Sequence, residues 1–411
     1  MNLDLTPSRE MSGQRVLLSR LVYAWLLISA LYYASTLFTG RFQALYSVSE
    51  FHKGFKYAAA LGLSAWIASA VGVHRTVIAS MMLLAVAATL VLLNGSLSIS
   101  AVTLLSNAAF LGFILLIRVL DGSVSRLTSV LIWSGVLVSL GSIVELTLLR
   151  GNLLTYWSQT GGVRSISTLL NPNNLGLYQG ACLTLWGYMF NKGRASLFPG
   201  VILMFSLVAS GSRTAMVAMM LMAVVAVVWD RSIFAAIKAR VKAHAIAFFC
   251  LATAGIVSVF AVDSISATEN IESYKRGTDL HTLELRAKFA NRFIEASDWT
   301  LLAPDIHRIR EVFVQDNAFL SLLNSHGFIV VGMLCWLLIT IPRQITQADP
   351  EDLWAYRHLL VFYLVSGLSN SFLNSFPNNQ LFFIAIGAWL CSASMTSDSR
   401  TASSFQIRRP T

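Results

Sequence analysis

Arg164, Arg213 and Arg286 are the residues best suited to chemistry, and two of them sit in polar stretches that interrupt an apolar chain. Arg164 leads into Asn171-Pro172-Asn173-Asn174, and Arg213 closes Ser210-Gly211-Ser212-Arg213. A third stretch, Asp316-Asn317, stands shortly before Gly327. A planar guanidinium makes bidentate, charge-assisted bonds to phosphate oxygens, so arginines gathered in one place suit a diphosphate. Ser210, Gly211 and Ser212 add small residues and backbone amides at a helix start, a position that favours anions. Asp316 is a candidate general base, a carboxyl able to take a proton from an attacking hydroxyl within hydrogen-bond reach.

What must position these groups follows from composition. The chain has 411 residues, of which 55% are hydrophobic and 12% charged, against about 25% charged in an ordinary soluble domain. Its apolar residues come in blocks of about 20, the length a helix needs to cross a bilayer. Runs such as Thr76 to Leu93 do not alternate apolar with polar, as a membrane β-barrel requires. The expected fold is therefore an all-α polytopic membrane protein, a single integral membrane domain over 1–411. About twelve spans are predicted: 17–38, 55–73, 76–93, 99–118, 127–149, 172–190, 197–210, 213–229, 244–262, 317–341, 357–375 and 379–396.

With both termini in the cytoplasm, about 17 Lys and Arg near span ends fall inside and about 6 outside, as the positive-inside bias asks. The formal charge of +10 thus reports topology, and nucleic-acid binding is discounted. Met1 to Ser19 leads into a span-length apolar run without a clear cleavage site and is expected to be retained. Cys182, Cys250, Cys335 and Cys391 lie inside predicted spans without paired spacing or neighbouring histidines, which argues against disulfide and zinc frameworks. The segment 230–243 places Ile233, Phe234, Ile237 and Val241 on one stripe, as a cytoplasmic helix lying on lipid would. The long outer loop 263–315 carries Leu283, Ala287, Ala290 and Ile294 at helical spacing and is expected to be partly helical.

On this topology the three polar stretches converge on the outer surface. Plainer uses stand beside the chemical ones. An arginine at a membrane surface can snorkel to headgroups, and Asp316 can cap a helix with Asn317 in its first turn. His326 lies about 15 Å down the helix axis from Asp316 at 1.5 Å per residue, which suits a core histidine better than a catalyst. Glu145 needs a partner, for which an outer arginine is a candidate, and Asn324, Asn370 and Asn374 are candidates to line a polar interior. Asn171-Pro172-Asn173-Asn174 is echoed by Phe376-Pro377-Asn378-Asn379, although Asn before Pro is also an ordinary helix start.

In order and spacing these pieces resemble the O-antigen ligase and polymerase superfamily of bacterial inner-membrane glycosyltransferases. The matching run is Arg164 with Asn171-Pro172-Asn173, Ser210-Gly211-Ser212-Arg213, a long outer loop with Arg286, then Asp316-Asn317 and Gly327. The resemblance covers roughly Arg164 to Gly332 by motif and the rest by hydropathy. It implies a GT-C-like bundle with one long periplasmic loop, moving an undecaprenyl-diphosphate-linked glycan to an acceptor glycan without metal or cofactor. By that resemblance Asp316, Arg213 and Arg164 are catalytic, while Arg286, Asn171, Asn173, Ser212 and Asn317 bind substrate; Arg310 of the outer loop is a further candidate for substrate binding. The ligase branch has a histidine where this chain has Asp316, which favours a polymerase of O-antigen, capsule or exopolysaccharide repeat units over a ligase to lipid A core. A chain-length regulator and a flippase are candidate partners. A multi-span transporter or flippase is the alternative of another class, predicting repeated halves and helices broken near mid-membrane. A scaffold without chemistry is the third.

Overall fold

The computed structural model describes residues 9–34, 37, 50–120, 124–148, 164–169, 171–229, 288–296, 299–308, 310, 317–340 and 350–391. Among them the secondary structure is helical: α1 Arg9–Ala30, α2 Glu50–Val71, α3 His74–Asn94, α4 Ile99–Leu120, α5 Val124–Leu148, α6 Pro172–Asn191, α7 Leu197–Ala209, α8 Arg213–Trp229, α9 288–295, α10 Ala318–Thr340, α11 Pro350–Ser366 and α12 378–391. The predicted span 244–262, the stripe in 230–243, Leu283, Arg286 and Asp316 lie outside the described residues.

Four helices among the described residues are long and apolar enough to cross a membrane: Arg75–Asn94, Ile99–Leu120, Val124–Leu148 and Ala318–Trp336. Their surfaces are inverted relative to a soluble protein. Leu92, Leu93 and Trp336 are 82, 61 and 63% exposed, while Ser100, Thr103, Ser106, Ser139 and Ser142 are buried. Apolar side chains facing outward and small polar ones facing other helices are what a bilayer selects, because lipid gives helices no hydrophobic reason to associate.

End contacts place α1 and α11 antiparallel to α6, and bring the starts of α6 and α12 together. At one end, Thr168 just before α6 donates to Ala30 O of α1 at 2.7 Å, and Asn378 opening α12 donates to Asn174 O in the first turn of α6 at 3.0 Å. At the far end of α6, Arg194 pairs with Asp352 near the start of α11 at 2.7 Å. α6 is the central helix, packed against α5, α7, α8 and α11. α4 packs against α2, α3 and α10. The two groups are joined through α12, where Gln380 accepts from Trp25 Nε1 at 3.0 Å and donates to Ser29 Oγ at 2.6 Å, and Asn379 donates to Ser106.

Among the described residues, two helices are locally broken. α4 tightens to a 3-10 helix over Leu111–Leu115, directly after Ser64 of α2 donates to Ala109 O. α10 bends at Gly327, whose φ of 70° and ψ of 164° lie in a region that only glycine occupies readily. The break receives the long loop: a Cβ at Gly327 would come within 2.6 Å of Leu302 O and Ala303 C, and Asp305 N–H donates to Asn324 O at 3.0 Å. Thus Asn324 O, one turn before the bend, is satisfied by the loop that fills it.

Candidate functional site

Glu145, in the last turn of α5, organises the approach to the site. Its Oε2 accepts from Ser165 Oγ at 2.6 Å, Ile166 N at 3.0 Å and Ser167 N at 2.9 Å. The expected pairing with an arginine is therefore replaced, among the described residues, by a row of donors from the segment after Arg164. Ser165 N–H also donates to Ala209 O at 2.8 Å, and Ser167 Oγ to Val138 O at 2.6 Å.

With the following residues so fixed, Arg164 lies across the turn between α7 and α8. Its Nε donates to Ser210 O and its Nη2 to Asn173 Oδ1, both at 2.8 Å. Asn171 caps α6, its side chain accepting from Asn173 N at 2.7 Å, with Pro172 in the first turn where a missing N–H costs nothing. Ser210 Oγ accepts from Ser212 N at 3.1 Å. The turn lies flat on α6 because Gly176 has no side chain; a Cβ there would stand 2.8 Å from Ser212 Oγ and 2.9 Å from Ser210 Oγ. Arg213, next along, is exposed at the start of α8.

Asn317 caps α10, accepting from Phe319 N and Leu320 N at 3.0 Å each. The expected arrangement, Asp316 as cap and Asn317 in the first turn, is thus corrected by one residue. Asn317 Nδ2 also donates to Leu368 O at 3.0 Å, and Ala318 N–H to Gly367 O at 2.9 Å. These acceptors belong to a segment that hydropathy assigned to a span over 357–375. In the structure α11 ends at Ser366, and 367–377 is non-helical. Gly367 and the run Ser369-Asn370-Ser371 favour turns, and the carbonyls that leave the helix here cap α10 instead.

The segment 367–377 ties the polar stretches together. Ser369 donates to Thr214 Oγ1 at 2.9 Å, beside Arg213; Ser375 donates to Asn174 Oδ1 at 2.7 Å, beside Asn173. Asn378 and Asn174 touch, so the echo of Asn-Pro-Asn-Asn in Pro-Asn-Asn is a contact between two helix starts. Of the sequence-predicted site residues, Arg164, Asn171, Asn173, Ser212, Arg213 and Asn317 are brought to one end of the bundle. No motif pointed to 367–377 as their link, although the repeated Pro-Asn-Asn was a usable signal.

Arg310 is placed differently. It is 2% exposed, its N–H donates to Asp305 Oδ2 at 2.8 Å, its Nε lies 3.9 Å from that oxygen and its guanidinium stands over Phe293 at 5.9 Å. Burial lowers its pKa, while the Asp305 charge opposes that shift. The side chain expected to bind substrate is thus packed inside the long loop, between Asp305 and α9. His326 is fully buried, its Nε2 3.2 Å from Asn107 Nδ2 and its Nδ1 2.7 Å from Ser325 Oγ. Lys56 is buried among Tyr33, Tyr57 and Phe376 and donates to Tyr33 Oη at 2.6 Å. Cys182 and Cys391 are buried and Cys335 is exposed, and among the described residues no group of His, Cys, Asp or Glu could hold a metal ion.

Compared with protein-family models, curated proteins and solved structures, the chain matches none. What fold and site define is a class: a helical protein of membrane type with a polar, arginine-bearing end.

Proposed function

We propose that this chain is a bacterial inner-membrane glycosyltransferase of about twelve spans, with both termini cytoplasmic and the arginine-bearing end in the periplasm. It transfers a glycan from undecaprenyl diphosphate to an acceptor glycan, joining repeat units of an O-antigen, capsule or exopolysaccharide. The observation that carries this reading is Arg164, held between Ser210 O and Asn173 Oδ1 beside the exposed Arg213. Guanidinium groups held in advance are suited to a leaving diphosphate, where negative charge grows in the transition state. Asp316, next to Asn317 in sequence, would accept the proton of the acceptor hydroxyl. That hydroxyl oxygen bonds to the anomeric carbon as the bond from that carbon to the diphosphate oxygen breaks. A single displacement from the opposite face inverts the anomeric centre, by analogy with other glycosyl chemistry.

One observation favours a transporter, since breaks within α4 and α10 resemble the discontinuous helices of that class. At the bend in α10, however, backbone of residues 302 and 303 occupies the space beside Gly327, where a transporter would need room for its substrate. Deletion in the native host, complemented with Arg213→Ala or Asp316→Asn, separates the readings. A polymerase defect leaves single repeat units on the core, and a ligase defect leaves bare core with accumulated lipid-linked polymer. Wild-type glycan length with both variants expressed at wild-type levels would refute the proposal.

A further inference from the structure

Residues 370–374 form a bow pinned at both ends. Ser369 is bonded to Thr214, one residue from Arg213, and Ser375 to Asn174, one residue from Asn173, which holds Arg164. Phe372 and Leu373 are 1 and 4% exposed and enter the core, Phe372 against the rings of Tyr363 and Phe382 at 5.1 and 4.7 Å. Asn370, Ser371 and Asn374 remain. Asn370 and Ser371 are buried, Asn374 is half-buried, and their side chains make no hydrogen bond among the described residues.

A buried polar atom without a hydrogen-bond partner is costly and uncommon, and Ser371 Oγ is one such atom, on the segment between the two arginine-bearing elements that also carries the Asn370 and Asn374 amides. Uncharged amides and a hydroxyl both donate and accept, which matches sugar hydroxyls; a phosphate is matched by arginine. We infer that Asn370, Ser371 and Asn374 form a subsite for the hydroxyls of the sugar that adjoins the diphosphate, between Arg164 and Arg213. The subsite rests on the proposed glycosyl transfer and adds to it the recognition of the first sugar by a segment outside all three polar stretches.

The test uses the purified full-length protein in lipid nanodiscs. The donor is lipid-linked oligosaccharide extracted from a host strain lacking the protein, and glycan-free undecaprenyl diphosphate serves as a competing ligand. Asn370→Ala and Asn374→Ala each raise KM for the donor about tenfold, while inhibition by undecaprenyl diphosphate changes less than about twofold. Arg213→Ala weakens that inhibition. Asn374→Gln, which restores an amide at a half-buried position, recovers part of the loss and separates recognition from folding. Unchanged KM in both alanine variants, or a parallel loss of undecaprenyl diphosphate inhibition, overturns the subsite and leaves glycosyl transfer standing. A wild-type protein that does not turn over the donor overturns both.

Discussion

Removing the Glu145 carboxyl should unfasten the segment that carries Arg164. In Glu145→Ala, the Ser165 hydroxyl and the amides of Ile166 and Ser167 lose their acceptor at a site where Ser165 and Ser167 are fully buried. All three donors reach the same oxygen, which has two lone pairs, so about two full hydrogen bonds are at stake. At about 1–3 kcal/mol for each buried group left unsatisfied, the expected loss is about 2–6 kcal/mol. Glu145→Gln keeps a carbonyl oxygen that can occupy the same place, and it should retain most of the stability. The assay is reversible unfolding in mixed micelles, followed by intrinsic tryptophan fluorescence, with glycan synthesis in the complemented host read alongside. Glu145→Ala should also reduce glycan synthesis, because the anchoring of residues 165–167 fixes where Arg164 emerges. Alanine and glutamine variants that unfold alike, or an alanine variant within about 0.5 kcal/mol of wild type, would refute the argument, since that is the ordinary effect of a surface substitution.

Gly327→Ala should lower stability by about 2–5 kcal/mol, from backbone strain at φ 70° and from a Cβ driven into the backbone at 302 and 303; an unchanged thermal midpoint in detergent would count against the fitted bend. Gly176→Ala should displace Ser210 and Ser212 and so the support of Arg164, lowering glycan synthesis while the protein still inserts and accumulates in membranes; wild-type synthesis would show that the turn tolerates the move. Arg194→Ala, at the opposite end, should cost no more than about 1 kcal/mol, because the Arg194 side chain is 43% exposed and its pair with Asp352 is screened; a larger fall in unfolding free energy would mean the pair has a structural task.

Hydropathy made the helices legible because the hydrocarbon requirement acts on blocks of residues, and Asn171, Arg213 and Asn317 could be placed because each sits at a helix start. What escaped was irregular backbone. The run 357–375 is apolar enough to read as one helix, yet Gly367 and Leu368 give their carbonyls to α10, and that choice depends on Asn317, some fifty residues earlier. Glu145 misled for a related reason. A carboxyl near a membrane surface suggests a cationic partner, but backbone N–H groups satisfy it as well and leave no mark in the sequence. The consequence reaches the site itself. Glu145 accepts from the segment just after Arg164, and Arg164 itself donates to Ser210 O and Asn173 Oδ1. Those two acceptors fix where the guanidinium stands and how its planar fork is turned, which is the pre-set orientation that a bidentate contact to the proposed diphosphate requires.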